Sequence, residues 1–443
     1  MAIDQASLVQ TIYDTVFSSF VYPPRAGQPD TQREIMLSLE WPGQQIDVSQ
    51  YANPWLPQNP TGSQFATEMF SSLVDAVPLL DAVYIDSGVT VEELYEFALG
   101  AVAVPLQADA NGEVPANPVS TILQSAKQIF EQSKLASALH PALSYCASYA
   151  APSNWYDEAA SQSWTQININ SNQAQTTPNS SFVRTGGLNR IKDGVWKLPE
   201  RVIKPDVLVK PDVLVKNEVV NPVNIRPDVL TQAVLKNNTL LRQGLNSAMM
   251  RSSSLLAAQP LMSNAALQAQ TIRQVTPNPL FVQRIRPEML HKVKLIAVKD
   301  QNLDQQTKDL QISFRCCRVN VNRPWLTKSL LNLKGWTLPG QAPGSLSTGT
   351  LENNTGSFPL LPISFIAIRD LKIRANWGKQ DAELAAKATS TQESVGFGPF
   401  ALSGSYAESG KVYTSSFDGI TLSSPGLQVL GWISLVLPFT PPA

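Results

Sequence analysis

The chain has 443 residues and a mass of 48.3 kDa, more than one ordinary hydrophobic core accommodates, so two or three structural units are expected. Charged residues make up 16%, below the roughly 25% of a typical soluble domain, which gives a polar but weakly charged surface suited to close contact with other surfaces. No uninterrupted apolar run reaches the roughly 18 residues of a membrane-spanning helix, and three cysteines, Cys146, Cys316 and Cys317, exclude a disulfide framework.

The formal net charge of −1 conceals a gradient along the chain. Residues 1–100 hold thirteen Asp or Glu against two Lys or Arg, whereas residues 181–300 hold eight acids and eighteen bases. An acidic first part and a basic middle can attract one another, within one chain or between neighbours.

The start, MAIDQASLVQTIYDTVFSSF, carries Asp4 and Asp14 and no basic stretch, so it does not read as a secretory signal; a cytoplasmic protein is expected, with export only by a dedicated route. Leu8, Ile12, Tyr13, Val16 and Phe17 recur at helical spacing, and Tyr22-Pro23-Pro24 stops that helix. Thr90 and Glu93 form a capping box for a second helix ending at Gly100. Asn117 as cap with Pro118 at the first helical position opens a third, which places Ile122, Ala126, Ile129 and Phe130 along one side. The Pro- and Asn-rich stretch at 53–62 connects such segments. Residues 1–175 therefore read as an acidic, mainly helical domain.

Residues 176–291 read as a basic middle segment. It contains the chain's internal repeat: IKPDV at 203–207, VKPDV at 209–213, VKNEV at 215–219 and IRPDV at 225–229. Pro205, Pro211 and Pro227 remove amide donors and hold the backbone extended, so a helix is excluded here. Lys204, Asp206, Lys210, Asp212, Lys216, Arg226 and Asp228 are the candidate assembly residues of this ribbon. An exposed proline-rich spacer is the alternative reading. The Leu-, Ala- and Met-rich run that follows suggests one or two helices broken at Pro260.

From 292 to 443 the pattern changes to β. LQISFRCCRVNVNRPWL, FPLLPISFIAIRDLKIRANWG, SVGFGPFALSGSY and ITLSSPGLQVLGWISLVLP combine β-branched and aromatic residues with turn formers. Leu371, Ile373 and Ala375 alternate with Lys372, Arg374 and Asn376, which assigns the first set to one face of a strand and the second to the other. The fold class expected is α+β and multidomain: a mainly helical first part, an extended repeat with helices in the middle, and a sandwich-like antiparallel β domain at the end.

Chemistry-bearing patterns are sparse. The two histidines, His140 and His291, lie far apart and away from any ligand spacing, so neither a histidine triad nor a zinc site is expected. Gly396, Gly398 and Gly404 lack the spacing and the following Lys-Ser or Lys-Thr of a phosphate loop, and suit a tight turn between strands instead. Glu92, Glu93 and Glu96 complement a helix N-terminus without a catalytic role. The lysines of the repeat alternate with acids, which cancels the clustered charge that nucleic-acid binding needs.

Arg323-Pro324-Trp325 and Lys334-Gly335-Trp336, together with Trp377, pair cations with indoles and are the candidate binding residues; core packing is the competing role for each tryptophan. No cofactor, metal ligand or catalytic residue is identified. The expectation is a non-enzymatic structural or assembly protein, a homo-oligomer or the partner of another protein. A membrane-active or exported effector with peripheral membrane contact is the first alternative, and a carboxylate- or serine-type hydrolase the second.

Overall fold

A long antiparallel sheet organises the chain, and its strands come from both ends of the sequence. The computed structural model describes residues 5–20, 35–104, 118–140, 142–171, 304–351, 354–390, 395–402, 405–408 and 411–442. The candidate assembly residues Lys204, Asp206, Lys210, Asp212, Lys216, Arg226 and Asp228, His291 and the helices expected around Pro260 lie outside the described residues. Residues 339–341 apart, the described residues belong to one compact unit.

The helices are α1 (Gln5–Phe20), α2 (Gln64–Val74), α3 (Val91–Ala101), α4 (Pro118–Gln132), α5 (Glu158–Ser161), α6 (Lys328–Asn332) and α7 (Lys379–Ser390). The strands of the large sheet are β1 (Ile35–Gln45), β6 (Tyr149–Ala151), β7 (Thr165–Asn170), β8 (Lys308–Asn322), β9 (Leu360–Asn376), β14 (Ser416–Phe417), β15 (Thr421–Ser424) and β16 (Gln428–Val436). Two-strand pairs complete the set: β2 (Ala76–Pro78) with β3 (Asp86–Thr90), β4 (Lys134–Ala136) with β5 (Ser144–Cys146), β10 (Val395–Phe397) with β11 (Phe400–Leu402), and β12 (Ser405–Glu408) with β13 (Lys411–Thr414). The fold is α+β. Among the described residues no helix is long and apolar enough to cross a membrane.

Local signals placed several elements where the sequence puts them. Thr90 accepts the Glu93 amide and Glu93 reaches back to the Thr90 amide, which satisfies two orphan donors at the start of α3. Pro118 opens α4, whose Val119, Leu123, Ala126 and Phe130 are buried along one side.

The centre of the sheet is β9. One edge pairs with β8 along most of its length, and the other pairs first with β16 and then with β15. Beyond β16 lies β1, with Ile35 opposite Leu435, and beyond β8 lie β6 and β7. Strands from residues 1–175 and from 292–443 thus share one hydrogen-bonded sheet and one core. Among the described residues the first part carries seven strands beside its helices: β2–β3 and β4–β5 pair locally, and β1, β6 and β7 pair with strands remote in sequence.

Asp370, at φ 54, is the extra residue of a bulge: Ser313 faces Lys372 while Arg315 faces Arg369. The bulge flips the inward parity of β9 from Ile366 and Ile368 to Leu371, Ile373 and Ala375. Lys372, Arg374 and Asn376 then face solvent. One face of the sheet packs under Ile12, Val16 and Phe17 of α1, Ala385 and Ala388 of α7, and the β10–β11 hairpin. On the opposite face, Val319, Phe365, Val429 and Trp432 pack under Met69, Phe70 and Leu73 of α2 and under Trp155. A further cluster joins α3, α4 and α6 around Trp325 and Trp336.

Candidate interaction surface

The acidic character of the first part is only partly a surface property. Glu68, Asp75, Asp81 and Glu92 are buried, and each accepts a backbone amide, because a buried carboxylate needs donors. Glu68 accepts the Ser137 hydroxyl and the amides of Ala138 (2.7 Å) and Leu139 (3.1 Å). Glu92 accepts the Cys146 amide at 3.2 Å, Asp75 the Glu92 amide at 3.1 Å and Asp81 the Val83 amide at 3.2 Å. Of the clustered helical glutamates, Glu93 is engaged in the cap of α3 and Glu96 accepts from Lys134 at 2.9 Å.

The candidate binding residues fall in different places. Trp325 is 0% exposed, among Tyr95 and Phe130, and Trp336 is 1% exposed and donates to the Leu333 carbonyl at 3.0 Å. Burial leaves neither indole a face for an external ligand. Arg323 is buried as well; it donates to the Pro362 carbonyl at 2.6 Å and to the Val74 carbonyl, the last of α2, where the helix dipole favours a cation. Desolvation pulls its guanidinium down to about 10, with Asp75 acting in the opposite direction. Lys334 is exposed. Trp377 is half-buried, donates to the Ile420 carbonyl at 2.7 Å and meets Phe397 and Phe417 edge-on. Trp325 and Trp336 belong to one apolar cluster and Trp377 packs against another, so these residues do not form one site.

Burial makes the thiols poor nucleophiles. Burial pushes the Cys146 thiol up, with Glu92 adding to the effect, and pushes Cys316 up to about 12; Cys317 is raised by the same desolvation. The His140 amide donates to Ser137 at 2.8 Å in the turn that Glu68 holds. Gly398, at φ 58, makes the turn of the β10–β11 hairpin. Among the described residues, no group of three or more His, Cys, Asp or Glu is placed to hold a metal ion.

What the described surface does display is a rigid apolar loop at residues 53–63, ahead of α2. Ser63 donates its amide to Asn53 at 2.7 Å and accepts that of Trp55 at 2.9 Å through its carbonyl, and Leu56 and Asn59 exchange amide bonds at 3.2 and 2.8 Å. The Asn59 side chain donates to Asn53 Oδ1 at 2.9 Å and to the Pro54 carbonyl at 3.0 Å. The loop is tied to its surroundings by Thr67, which donates to the Trp55 carbonyl at 2.7 Å, and by the Tyr156 hydroxyl, which accepts the Asn53 amide at 3.0 Å. Gly62 is obligatory: a Cβ there would lie 2.2 Å from the Pro54 carbonyl oxygen.

This ordering serves display. Trp55 and Leu56 are half-exposed, Pro57 and Pro60 are exposed, and Phe65 is 39% exposed at the start of α2. The Trp55 and Tyr149 rings stand 6.4 Å apart, tilted by 41°. Below them a shallow cleft lined by Tyr51, Phe70, Tyr149 and Trp155 encloses about 10 Å³, room for about one water and not for a small-molecule substrate. Asp47 and Asp157, both exposed, flank the lining residues in sequence, and residues 35–101 and 144–171 contain no Lys or Arg. The sequence marks this stretch only as a connector, since proline and asparagine signal turns without saying whether the turn is rigid or what it shows to solvent. The chain matches no family model, and comparison with curated proteins and with solved structures found no match.

Proposed function

We propose that the protein is non-enzymatic and works through protein–protein contacts, associating with other copies through the surface formed by residues 53–65. The observation that carries this reading is the loop itself. Its backbone is fixed by its own hydrogen bonds, so little ordering entropy remains to be lost on binding, yet it leaves Trp55 and Leu56 only half-buried and precedes the exposed Phe65. Apolar side chains left partly exposed on a rigid support suit a contact surface.

The test is light scattering after size exclusion, on wild type and on Leu56→Lys and Phe65→Lys, over a range of concentration and salt. Species heavier than the 48.3 kDa chain that both substitutions disperse, with unchanged thermal unfolding, support the reading. A monomer under every condition, or assemblies indifferent to both substitutions, overturns it.

A further inference from the structure

We infer that β7 is an open sheet edge on which a second copy of this chain docks its own β7, antiparallel and about a twofold axis at Ile167, so that the large sheet continues from one copy into the next. This contact goes beyond the one through residues 53–65 and does not depend on it. The other margins of the sheet are covered or short. On the outer side of β1, Leu39 donates its amide to the Ala82 carbonyl at 2.8 Å and accepts that of Tyr84 at 2.7 Å, and the Gly43 amide meets the Pro399 carbonyl at 2.9 Å. β14 is two residues long; β6 is three, and Pro152 ends it. Such devices protect a sheet against the addition of a foreign strand.

β7 has none of them. It runs for six residues and pairs with β8 without a register shift, and residues 159–171 contain no Pro, Asp, Glu, Lys or Arg. The Ser171 amide donates to the Leu310 carbonyl at 2.9 Å, which sets the alternation of the ladder. The backbone groups of Ile167 and Ile169 therefore face β8, and those of Gln166 and Asn168 point away from it. Both of these residues are exposed, and among the described residues no hydrogen bond reaches their outward amides and carbonyls.

The strand is complementary to itself. An axis at Ile167 sets Gln166 against the second copy's Asn168, and Asn168 against the second copy's Gln166, each pair exchanging both of its amide–carbonyl bonds. On the inner face Ile167 meets its own counterpart and Thr165 meets Ile169, β-branched pairs that extend the apolar layer to which Ile167 and Ile169 already belong. On the outer face carboxamide lies beside carboxamide. No like charges meet across the axis, the penalty that ordinarily keeps a charged edge from pairing with its copy. Matching on both faces selects a second copy over a strand of arbitrary sequence, and the contact is isologous and closes on a pair.

The experiment uses full-length protein carrying Gln166→Cys or Asn168→Cys, incubated singly and mixed with oxidised glutathione. Directly opposed residues of this kind have Cα atoms about 5.5 Å apart, within the range a disulfide spans. A disulfide-linked dimer is expected in the mixture and in neither variant alone; wild type serves as the control because Cys317 is only partly buried. Asn168→Pro is the second variant. It removes an outward amide and none of the bonds to β8, so light scattering should show dimerisation weakened about tenfold or more with thermal unfolding little changed. Leu56→Lys, on the other surface, should leave the crosslink intact. A mixture that yields no more crosslinked dimer than the single variants overturns the pairing, as does association that Asn168→Pro leaves unchanged. So does a monomer at every concentration, the result expected if the edge is covered by another segment of the same chain.

Discussion

Glu68 offers the sharpest test of how the first part holds together. Its buried carboxylate accepts the Ser137 hydroxyl and the amides of Ala138 and Leu139, and so pins the turn between β4 and β5 to α2 across roughly seventy residues of sequence. Replacing Glu68 by alanine removes the acceptor for all three donors. Hydrogen bonds to a charged group contribute roughly 1.5–3 kcal/mol each. Part of that loss is offset because the carboxylate no longer has to be desolvated, which leaves an expected net cost of about 3–5 kcal/mol. Urea unfolding followed by tryptophan fluorescence measures it. A double-mutant cycle isolates the contact: Ser137→Ala should cost about 1–3 kcal/mol in wild type and less in the Glu68→Ala background, where only its bond from the His140 amide remains to be lost. A Glu68→Ala cost below about 1 kcal/mol, or additive single and double substitutions, would refute the assignment of this carboxylate as the clamp of the turn.

Other outcomes follow from the same kind of reasoning. Arg323→Ala should cost about 3–5 kcal/mol, because it orphans the Val74 and Pro362 carbonyls and empties the space of a buried side chain, whereas Arg323→Met orphans the same carbonyls but refills that space and should cost about 1–2 kcal/mol less; equal costs in denaturant unfolding would contradict this. Asp381 is buried and desolvation raises its carboxyl above the ordinary 3.8, so its contribution to stability is fully present below that value and lost as pH rises through the higher folded-state value. The advantage of Asp381→Asn over wild type should therefore grow from acidic toward neutral pH and then level off, and a difference in unfolding free energy that is flat with pH would count against it. Thiol titration should find Cys146 and Cys316 unreactive in the native protein and all three cysteines reactive after denaturation. Gly62→Ala should destabilise the 53–63 loop by about 1–3 kcal/mol through the clash with the Pro54 carbonyl, and should weaken self-association along with it.

The sequence by itself determined the elements whose information is local. The Thr90–Glu93 box, Pro118 at the start of α4 and the spacing of Ile12, Val16 and Phe17 in α1 each depend on residues within a turn or two of one another, so they are legible without a partner. The alternation from Leu371 to Asn376 likewise revealed which face of β9 turns inward, because only one face of that half is covered. The earlier half, from Leu360 to Ile368, is buried on both faces and shows no alternation to read.

Tertiary structure decided everything that depends on a remote partner. Hydrophobic periodicity says that a strand exists and not which strand it meets, so the pairing of β1 with β16 and of β7 with β8, which stitches residues 1–175 to 292–443, is invisible in the chain order. The same holds for the bulge at Asp370, for Trp325 and Trp336 entering the core beside α3 and α4, and for Glu68 and Glu92 turning inward to serve distant amides. A proline- and asparagine-rich stretch reads as a linker in any sequence. Only the hydrogen bonds within residues 53–63, and those to Thr67 and Tyr156, make it a rigid support that keeps Trp55 and Leu56 in contact with water.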